Sequence, residues 1–250
     1  MRHLGWLAVV AVVVAVLGAA CGGDGTTSAG SGTGADGTTT TVATSTTSTT
    51  SPPADGALPG ERIEIYPYEG APLAVVGVAA DDTLNVRSGP GVDFDVVFEL
   101  EPLATGVAAT GHNRGLGDEG IWSEITSEGR TGWANTSYLL QPGGVDDITT
   151  EIAPRPEDRP RAETMRQLGE TVAAMRASDD PRSSIVVVDG PQVGDLAEIT
   201  VDVIGFGDDS VGGERLHIFA EPDEGGEGFV LRTVERTVLC SRAVDDNVCV

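Results

Sequence analysis

The sequence predicts a mainly β protein, in which an N-terminal signal and a disordered tether precede a small β-barrel and then an α+β domain. Three observations support this fold class. Short apolar runs separated by Gly, Pro or Asp recur across residues 62–134, as in small barrels and sandwiches. Residues 161–177 carry apolar side chains at helical spacing. Residues 195–206 alternate apolar and polar side chains, which is typical of a half-buried strand.

The first residues of the chain have the pattern of a secretory signal peptide. A positive charge at Arg2 precedes an apolar stretch over residues 7–17 and small residues at 18–20. The apolar stretch is short for a membrane span, which needs roughly 20 residues. We therefore expect residues 1–20 to be removed and the mature chain to lie outside the cytoplasm.

Cys21 follows directly, in the stretch LGAAC, which resembles the bacterial lipobox at which a signal is cut before a Cys that becomes lipid-modified. The alternative is cleavage after Ala20 by ordinary signal peptidase, because Leu17 lies one position further from the Cys than in the usual motif. An odd count of 3 cysteines in a secreted chain fits lipidation of one of them. The remaining Cys240 and Cys249 predict a disulfide, which an oxidising compartment preserves. Two free buried thiols are the alternative.

Residues 21–57 are rich in Thr, Ser and Gly and almost free of large apolar side chains, so they cannot bury a core. The composition predicts a disordered tether, and the lipobox resemblance at Cys21 implies that a lipid anchors its first residue. At roughly 3.3–3.6 Å per residue when extended, such a tether lets the folded domains reach well away from the membrane surface and into the cell wall. The signal pattern predicts an extracytoplasmic protein, and the lipobox resemblance implies that it is lipid-anchored to the cell membrane and faces the cell wall.

The charge balance disfavours several classes of function. The chain has 39 acidic and 15 basic residues and a formal net charge of −24, and every basic residue is Arg. Nucleic acid is disfavoured as a partner, because its binding relies on Lys and Arg displacing counterions. The membrane is expected as a partner through the lipid anchor only. Without Lys, the chain holds no Walker-type phosphate loop and no Schiff-base site.

Two predicted domains follow the tether. Residues 58–140 hold the short runs that are predicted to form the barrel. Residues 141–157, rich in Pro, Gly and acidic side chains, predict a linker. Residues 158–250 predict the α+β domain, with one helix over residues 161–177 and an antiparallel meander after it. The predicted strands of this meander span 183–189, 195–206, 214–221 and 228–240.

The α+β domain is predicted to pack one helix face against one sheet face. The helix face comprises Met165, Leu168, Val172 and Met175. On the strand at 195–206, the odd-numbered apolar residues are predicted to be buried, and Thr200 and Asp202 are predicted to face solvent.

Four motifs in order carry a resemblance to a known family. They are LNVRSGPG at residues 84–91, IWSEI from 121, GRTGWAN from 129 and TSYLL from 136. Residues 73–140 thereby resemble the bacterial Src-homology-three (SH3) family. The resemblance implies a small barrel in which Leu84 and Val86 point inward and a tight Gly-Pro-Gly turn follows them. The Arg-only, Ala- and Val-rich composition is typical of a high-GC genome such as that of an actinobacterium.

The same resemblance implies a non-catalytic binding module for peptidoglycan peptides or cell-envelope proteins. The positions of the family's motifs in this sequence imply a ligand groove formed by Asn85, Arg87, Phe94, Trp122 and Tyr138. Trp133 is predicted to be a core residue instead, since aromatic side chains tend to be buried. Arg87 has two interpretations, an ion pair with a neighbour such as Asp82 or a bidentate contact with a peptide carboxylate.

No residue pattern predicts catalysis, a metal or a cofactor. His112 in a predicted loop and His217 in a predicted strand have no partner suited to nucleophilic catalysis, and the common hydrolase and zinc motifs are missing. GLGDEG at residues 115–120 matches a phosphate-binding pattern, but a strand-like run follows it instead of a helix. The paired acidic residues are interpreted as solvated turns, and not as a calcium loop or a glycosidase pair.

The leading hypothesis is therefore an extracytoplasmic lipoprotein whose barrel binds a peptidoglycan peptide or an envelope protein. The alternative is a regulator or inhibitor of an envelope protein that acts through residues 158–250. A wall hydrolase with a carboxylate pair is the least favoured hypothesis.

Overall fold

The computed structural model describes residues 58–250, so the predicted signal peptide, Cys21 and the tether lie outside the described residues. Antiparallel strands dominate this part of the chain, which confirms the mainly β fold class. The first eight strands are β1 (Glu61–Arg62), β2 (Pro72–Val75), β3 (Leu84–Arg87), β4 (Val96–Leu100), β5 (Val107–Gly115), β6 (Ile121–Ser127), β7 (Arg130–Asn135) and β8 (Leu139–Asp147).

Two α-helices and seven further strands complete the described chain. They are α1 (Thr149–Ile152), β9 (Arg161–Ala162), α2 (Met165–Ala174), β10 (Ser184–Val193), β11 (Ala197–Ile204), β12 (Val211–Pro222), β13 (Phe229–Cys240), β14 (Val244–Asp245) and β15 (Val248–Cys249). Short 3-10 helices occupy Gly117–Glu119, Thr136–Tyr138 and Pro156–Asp158. Over residues 58–250, neither α-helix is long and apolar enough to cross a membrane.

One strand, β8, belongs to both halves of the fold. The hydrogen-bonded order of strands is β10-β11-β12-β13-β8-β2-β5-β6-β7-β3-β4, with β1 on β5 and β9 on β13. The first residues of β8, Leu139 and Leu140, pair with β2 of the barrel. Its later residues, from Gln141 to Asp147, pair with β13. The barrel and the α+β domain are therefore joined through a shared strand.

The barrel core is built from alternate residues of its strands. On β3, Leu84 and Val86 are 6% and 0% exposed, whereas Asn85 between them is exposed. This confirms the predicted inward direction of both apolar side chains. Their partners in the core include Val75, Phe98, Leu100, Ile125 and Leu139.

The predicted linker at residues 141–157 is regular structure over much of its length. Its Pro and Gly residues suggested a break, yet β8 continues through them to Asp147, and Ile152 of α1 is buried. The Gly144 amide donates a hydrogen bond to the carbonyl oxygen of Asn247 at 2.8 Å, and a Cβ at Gly144 would lie 3.1 Å from that oxygen. Glycine stands here because the C-terminal segment packs directly on the strand.

Helix α2 covers one face of the α+β sheet. Thr164 caps it, since its hydroxyl accepts a hydrogen bond from the Gln167 amide at 3.2 Å. The first three residues of the predicted apolar face are buried. The prediction was wrong for the fourth, Met175, which is 54% exposed because the helix ends at Ala174.

The other face of the α+β sheet was predicted to face solvent, but the barrel covers part of it. Thr200 and Asp202 on β11 are 6% and 0% exposed. Asp202 accepts hydrogen bonds from Arg215 at 2.7 and 2.8 Å and from the Gly77 amide of the barrel at 3.0 Å. Arg215 also donates to the carbonyl oxygen of Val75 at 2.6 Å. The acidic side chain is buried because partners from both domains satisfy it.

A disulfide between Cys240 and Cys249 fixes the C-terminus, as predicted. Cys240 is fully buried at the end of β13. Cys249 lies in the hairpin of β14 and β15, whose turn carries Asn247 onto Gly144. The bond therefore holds this hairpin against the shared strand β8.

Removal of the disulfide is expected to destabilise the fold. A cross-link over a loop of this length restricts the unfolded chain, and the chain-entropy relation gives about 2–3 kcal/mol. The double variant Cys240→Ala, Cys249→Ala should therefore unfold at a lower urea concentration by circular dichroism, and reduced wild type should match it. Two alkylatable thiols in the native secreted protein would contradict the assignment.

The Asp202–Arg215 pair is expected to stabilise the joint between the domains. Asp202→Ala leaves Arg215 largely buried without its carboxylate, which typically costs about 3–5 kcal/mol in unfolding free energy. Urea unfolding followed by tryptophan fluorescence measures this loss. The control is Asp209→Ala, which removes an exposed ion pair with Arg242 and should leave the midpoint unchanged. Equal midpoints for Asp202→Ala and wild type would rule out the stabilising role.

Candidate functional site

A groove on the barrel brings together most of the predicted ligand residues. Its volume is about 500 Å³. It lies between β3, the start of β6, the end of β7 and the 3-10 helix at Thr136–Tyr138, and residues 77–79 close one side. Four of the five predicted residues line it: Asn85, Arg87, Trp122 and Tyr138.

Strand β3 and the turn after it supply the polar side of the groove. Asn85 is exposed, and Arg87 at the end of the strand is half-buried. The Nη1 group of Arg87 donates to the carbonyl oxygen of Phe94 at 2.7 Å, across the Gly-Pro-Gly turn. The turn packs closely, since a Cβ on Gly89 would overlap the Phe94 ring. The LNVRSGPG motif thereby holds the guanidinium in place.

Arg87 has no ion pair among residues 58–250, whereas most other arginines there form one. The predicted alternative, a pair with Asp82, is not formed. Asp82 instead accepts a hydrogen bond from the Thr83 amide at 2.8 Å. Asp82 is also the only acidic residue of the described chain that lines the groove. The guanidinium thus keeps donors that no carboxylate of residues 58–250 neutralises.

Two aromatic residues shape the groove in different ways. Trp122 on β6 is only 4% exposed, so the groove reaches it at the edge of the core. Its indole Nε1 is buried and has no hydrogen-bond partner within the described part of the chain. Tyr138, at the end of its 3-10 helix, is 41% exposed. Trp122 therefore carries an unpaired donor, and Tyr138 presents an accessible ring and hydroxyl.

Asn135 also lines the groove and was missed as a ligand residue. It ends the GRTGWAN motif and begins the Asn-Thr-Ser pattern of a glycosylation site, but neither pattern was interpreted as a ligand contact. Its Oδ1 accepts hydrogen bonds from the amide and the hydroxyl of Ser137 at 3.0 and 2.7 Å. Its Nδ2 donates to the carbonyl oxygen of Glu119 at 3.3 Å. Asn135 therefore caps the short helix that positions Tyr138.

The α+β domain contributes to the same groove. Val186 of β10 lines it together with residues 77–79 of the barrel. The Ala80 amide donates to the carbonyl oxygen of Val187 at 3.0 Å, which fixes this barrel segment on β10. Local sequence patterns could not reveal the contact, since its two segments are more than a hundred residues apart in the chain.

Phe94 and Trp133 lie outside the groove. Trp133 on β7 is 3% exposed and pairs in register with Arg87, which confirms the prediction that it is a core residue. Phe94 was predicted to contact the ligand, but its ring packs on Gly89 and its carbonyl accepts from Arg87. The exposed Val92 of the same turn lines the groove instead.

Both described histidines lie in strands and contact carboxylates. His112 was predicted in a loop, but β5 continues to Gly115, and its Nδ1 lies 2.8 Å from Oε2 of Glu124. On β12, Nε2 of His217 lies 3.1 Å from Oε2 of Glu198. The GLGDEG pattern forms the tight connection from β5 to β6, so a strand follows it as predicted. Within residues 58–250, no group of three or more His, Cys, Asp and Glu residues is arranged to hold a metal ion.

Comparison with known proteins agrees with the geometry of the barrel. The chain is similar to the probable endopeptidase p60 of Listeria monocytogenes, at 26% identity over 130 residues. That match covers 48% of this chain and 25% of the relative, so the chain spans about a quarter of the relative's length. No solved structure matches the chain. Residues 82–139 match the family described as the bacterial SH3 domain, and this part of the chain is therefore a bacterial SH3 domain.

Proposed function

We propose that the chain is a non-catalytic cell-envelope protein whose SH3 domain binds a peptidoglycan peptide in the groove. A bacterial SH3 domain indicates a cell-wall context and binding to wall or envelope components. The observation that carries the proposal is the convergence of Asn85, Arg87, Trp122 and Tyr138 on one groove. An extended segment of an envelope protein is the alternative ligand of the same groove.

The groove suits an extended peptide because apolar surface and polar groups lie side by side. Val92 and Val186 provide apolar walls, and Tyr138 provides an exposed aromatic ring. Arg87 and Asn85 provide donors and an acceptor for the peptide backbone and its polar groups. These groups bind and orient a ligand, and the proposal assigns them no covalent chemistry.

The α+β domain is proposed to act as a scaffold for this groove. It places Val186 in the wall, and Asp202 holds Gly77 at the adjacent segment. A site that draws residues from both domains keeps its shape only while the joint between them is rigid. The scaffold role therefore accounts for the burial of charged groups at the joint.

The regulator hypothesis retains one supporting observation. A second cleft of about 420 Å³ lies against the α+β sheet, and its lining has three acidic residues, Asp189, Glu198 and Glu235, beside one arginine, Arg215, and His217. Such an acidic surface complements a basic segment of a partner protein. Under this alternative, the SH3 domain only localises the chain to the envelope.

Cys21 is proposed to be the lipid anchor of the mature protein. Mass spectrometry of the protein extracted from membranes should find a lipid-modified Cys21 at the N-terminus. Cys21→Ala should lack the lipid-modified N-terminus and attach less stably to the membrane once its signal is cleaved, because stable membrane attachment depends on the acyl chains. A mature N-terminus with unmodified Cys21 would favour ordinary signal peptidase instead.

Purified peptidoglycan sacculi test the groove. The full secreted chain should bind them saturably, and Asn85→Ala combined with Tyr138→Ala should weaken binding about tenfold or more, as loss of a central aromatic contact does. Both side chains are exposed, so the variant should fold, which circular dichroism checks. The matched control is Tyr68→Ala, because Tyr68 is 61% exposed and does not line the groove.

Two results of this experiment would count against the proposal. Absence of binding by wild type would move the search to a protein partner and to the second cleft. Release of soluble muropeptides from the sacculi by wild type would contradict the non-catalytic role and favour the hydrolase hypothesis.

A further inference from the structure

We infer that the groove selects its peptide by a free carboxylate, which pairs with Arg87 and has the indole N–H of Trp122 as a second donor. The inference rests on the proposed function, because it names the chemical group that the same groove recognises. Unpaired donors at two residues and the scarcity of acidic groups in the groove carry it.

Arg87 is the first of these donors. A guanidinium has five N–H groups in a planar fork. Among residues 58–250, one acceptor bonds the guanidinium of Arg87, the carbonyl oxygen of Phe94. That bond also fixes the direction of the side chain before any ligand arrives. A fixed, half-buried fork with free N–H groups matches the two oxygens of a carboxylate.

Trp122 is the second residue with an unpaired donor. Its indole N–H is donor-only, and it is buried without an acceptor within the described chain. Buried polar groups without a partner are rare in native proteins. Of the two such atoms in residues 58–250, Nε1 of Trp122 and Nε of Arg236, only the first belongs to a residue that lines the groove, and its acceptor is assigned to the ligand. A carboxylate has enough lone pairs to accept from both residues at once.

The charge of the groove favours a single carboxylate over a polyanion. The chain has a formal net charge of −24, yet the lining of the groove in the described chain has one acidic residue, Asp82, and one arginine, Arg87. Asp82 accepts from the Thr83 amide and forms no ion pair with Arg87, so the Arg87 guanidinium stays available for one carboxylate. A phosphate-rich polymer would extend beyond the groove over an acidic protein and be repelled. The inferred ligand is therefore a peptide with an unblocked carboxylate.

Amidation of sacculus carboxylates tests the inference on the full secreted chain. Wild type should bind amidated sacculi about ten- to hundredfold more weakly than untreated sacculi, the expected loss for a charge-assisted pair. General electrostatics predicts the opposite change, because amidation removes negative charge from a wall that repels an acidic protein. The sign of the change therefore separates specific pairing from overall charge.

Variants locate the pairing. Arg87→Gln should bind untreated sacculi as weakly as wild type binds amidated sacculi, and amidation should then have little further effect. Arg159→Gln is the matched control, since it makes the same charge change at a residue that does not line the groove. Trp122→Phe keeps an aromatic ring and removes the donor, and it should weaken binding to untreated sacculi about two- to tenfold.

The outcomes distinguish the inference from the proposed function. Wild type that binds neither kind of sacculus would overturn both. Equal binding of wild type to untreated and amidated sacculi would overturn the carboxylate inference alone. Binding that survives amidation and disappears when wall phosphate polymers are stripped would identify phosphate as the recognised group and also overturn it.

Discussion

The buried ion pair of Asp202 and Arg215 is the interaction on which the arrangement of the protein depends. The Asp202 carboxylate accepts a hydrogen bond from the Gly77 amide, and the Arg215 guanidinium donates one to the Val75 carbonyl oxygen. One ion pair thereby holds both ends of a short barrel segment. Charged side chains are tolerated in the protein interior only because each charged group has a partner. A shifted segment would leave a buried charge unpaired, so charge pairing sets the position of the groove wall.

A second network ties the opposite face of the α+β sheet in the same way. Glu214 is 5% exposed and accepts from Arg176, just beyond α2, and from Arg236 of β13, which also donates to Asp146 of β8. A chain whose basic residues are all Arg is suited to such networks, because a planar guanidinium bonds two acceptors at once. The Arg87 guanidinium differs from the arginines of these networks, because within residues 58–250 its one hydrogen-bond acceptor is the carbonyl oxygen of Phe94.

Local patterns in the sequence predicted most strands and helix α2, because each depends on neighbours within a few positions. The four groove residues were predicted instead from the motif positions of the family resemblance, which already carry the long-range arrangement of the barrel. The burial of Asp202 depends on a contact with Gly77, 125 residues away, which alternation along one strand does not report. The prediction of a linker at residues 141–157 was wrong for a related reason. Gly144 makes room for a hairpin that is distant in sequence, and it does not break the strand. For Phe94, the motif predicted proximity to the groove but not the direction of the ring.

The shared strand β8 has a consequence for the ancestry of such a protein. Modules joined by a loose loop are exchanged by recombination without damage to either one. Here, a crossover within β8 would strip the pairing partner from β2 or from β13. The bare strand edge left behind promotes aggregation. Descendants of this chain are therefore expected to inherit the two domains as one evolutionary unit.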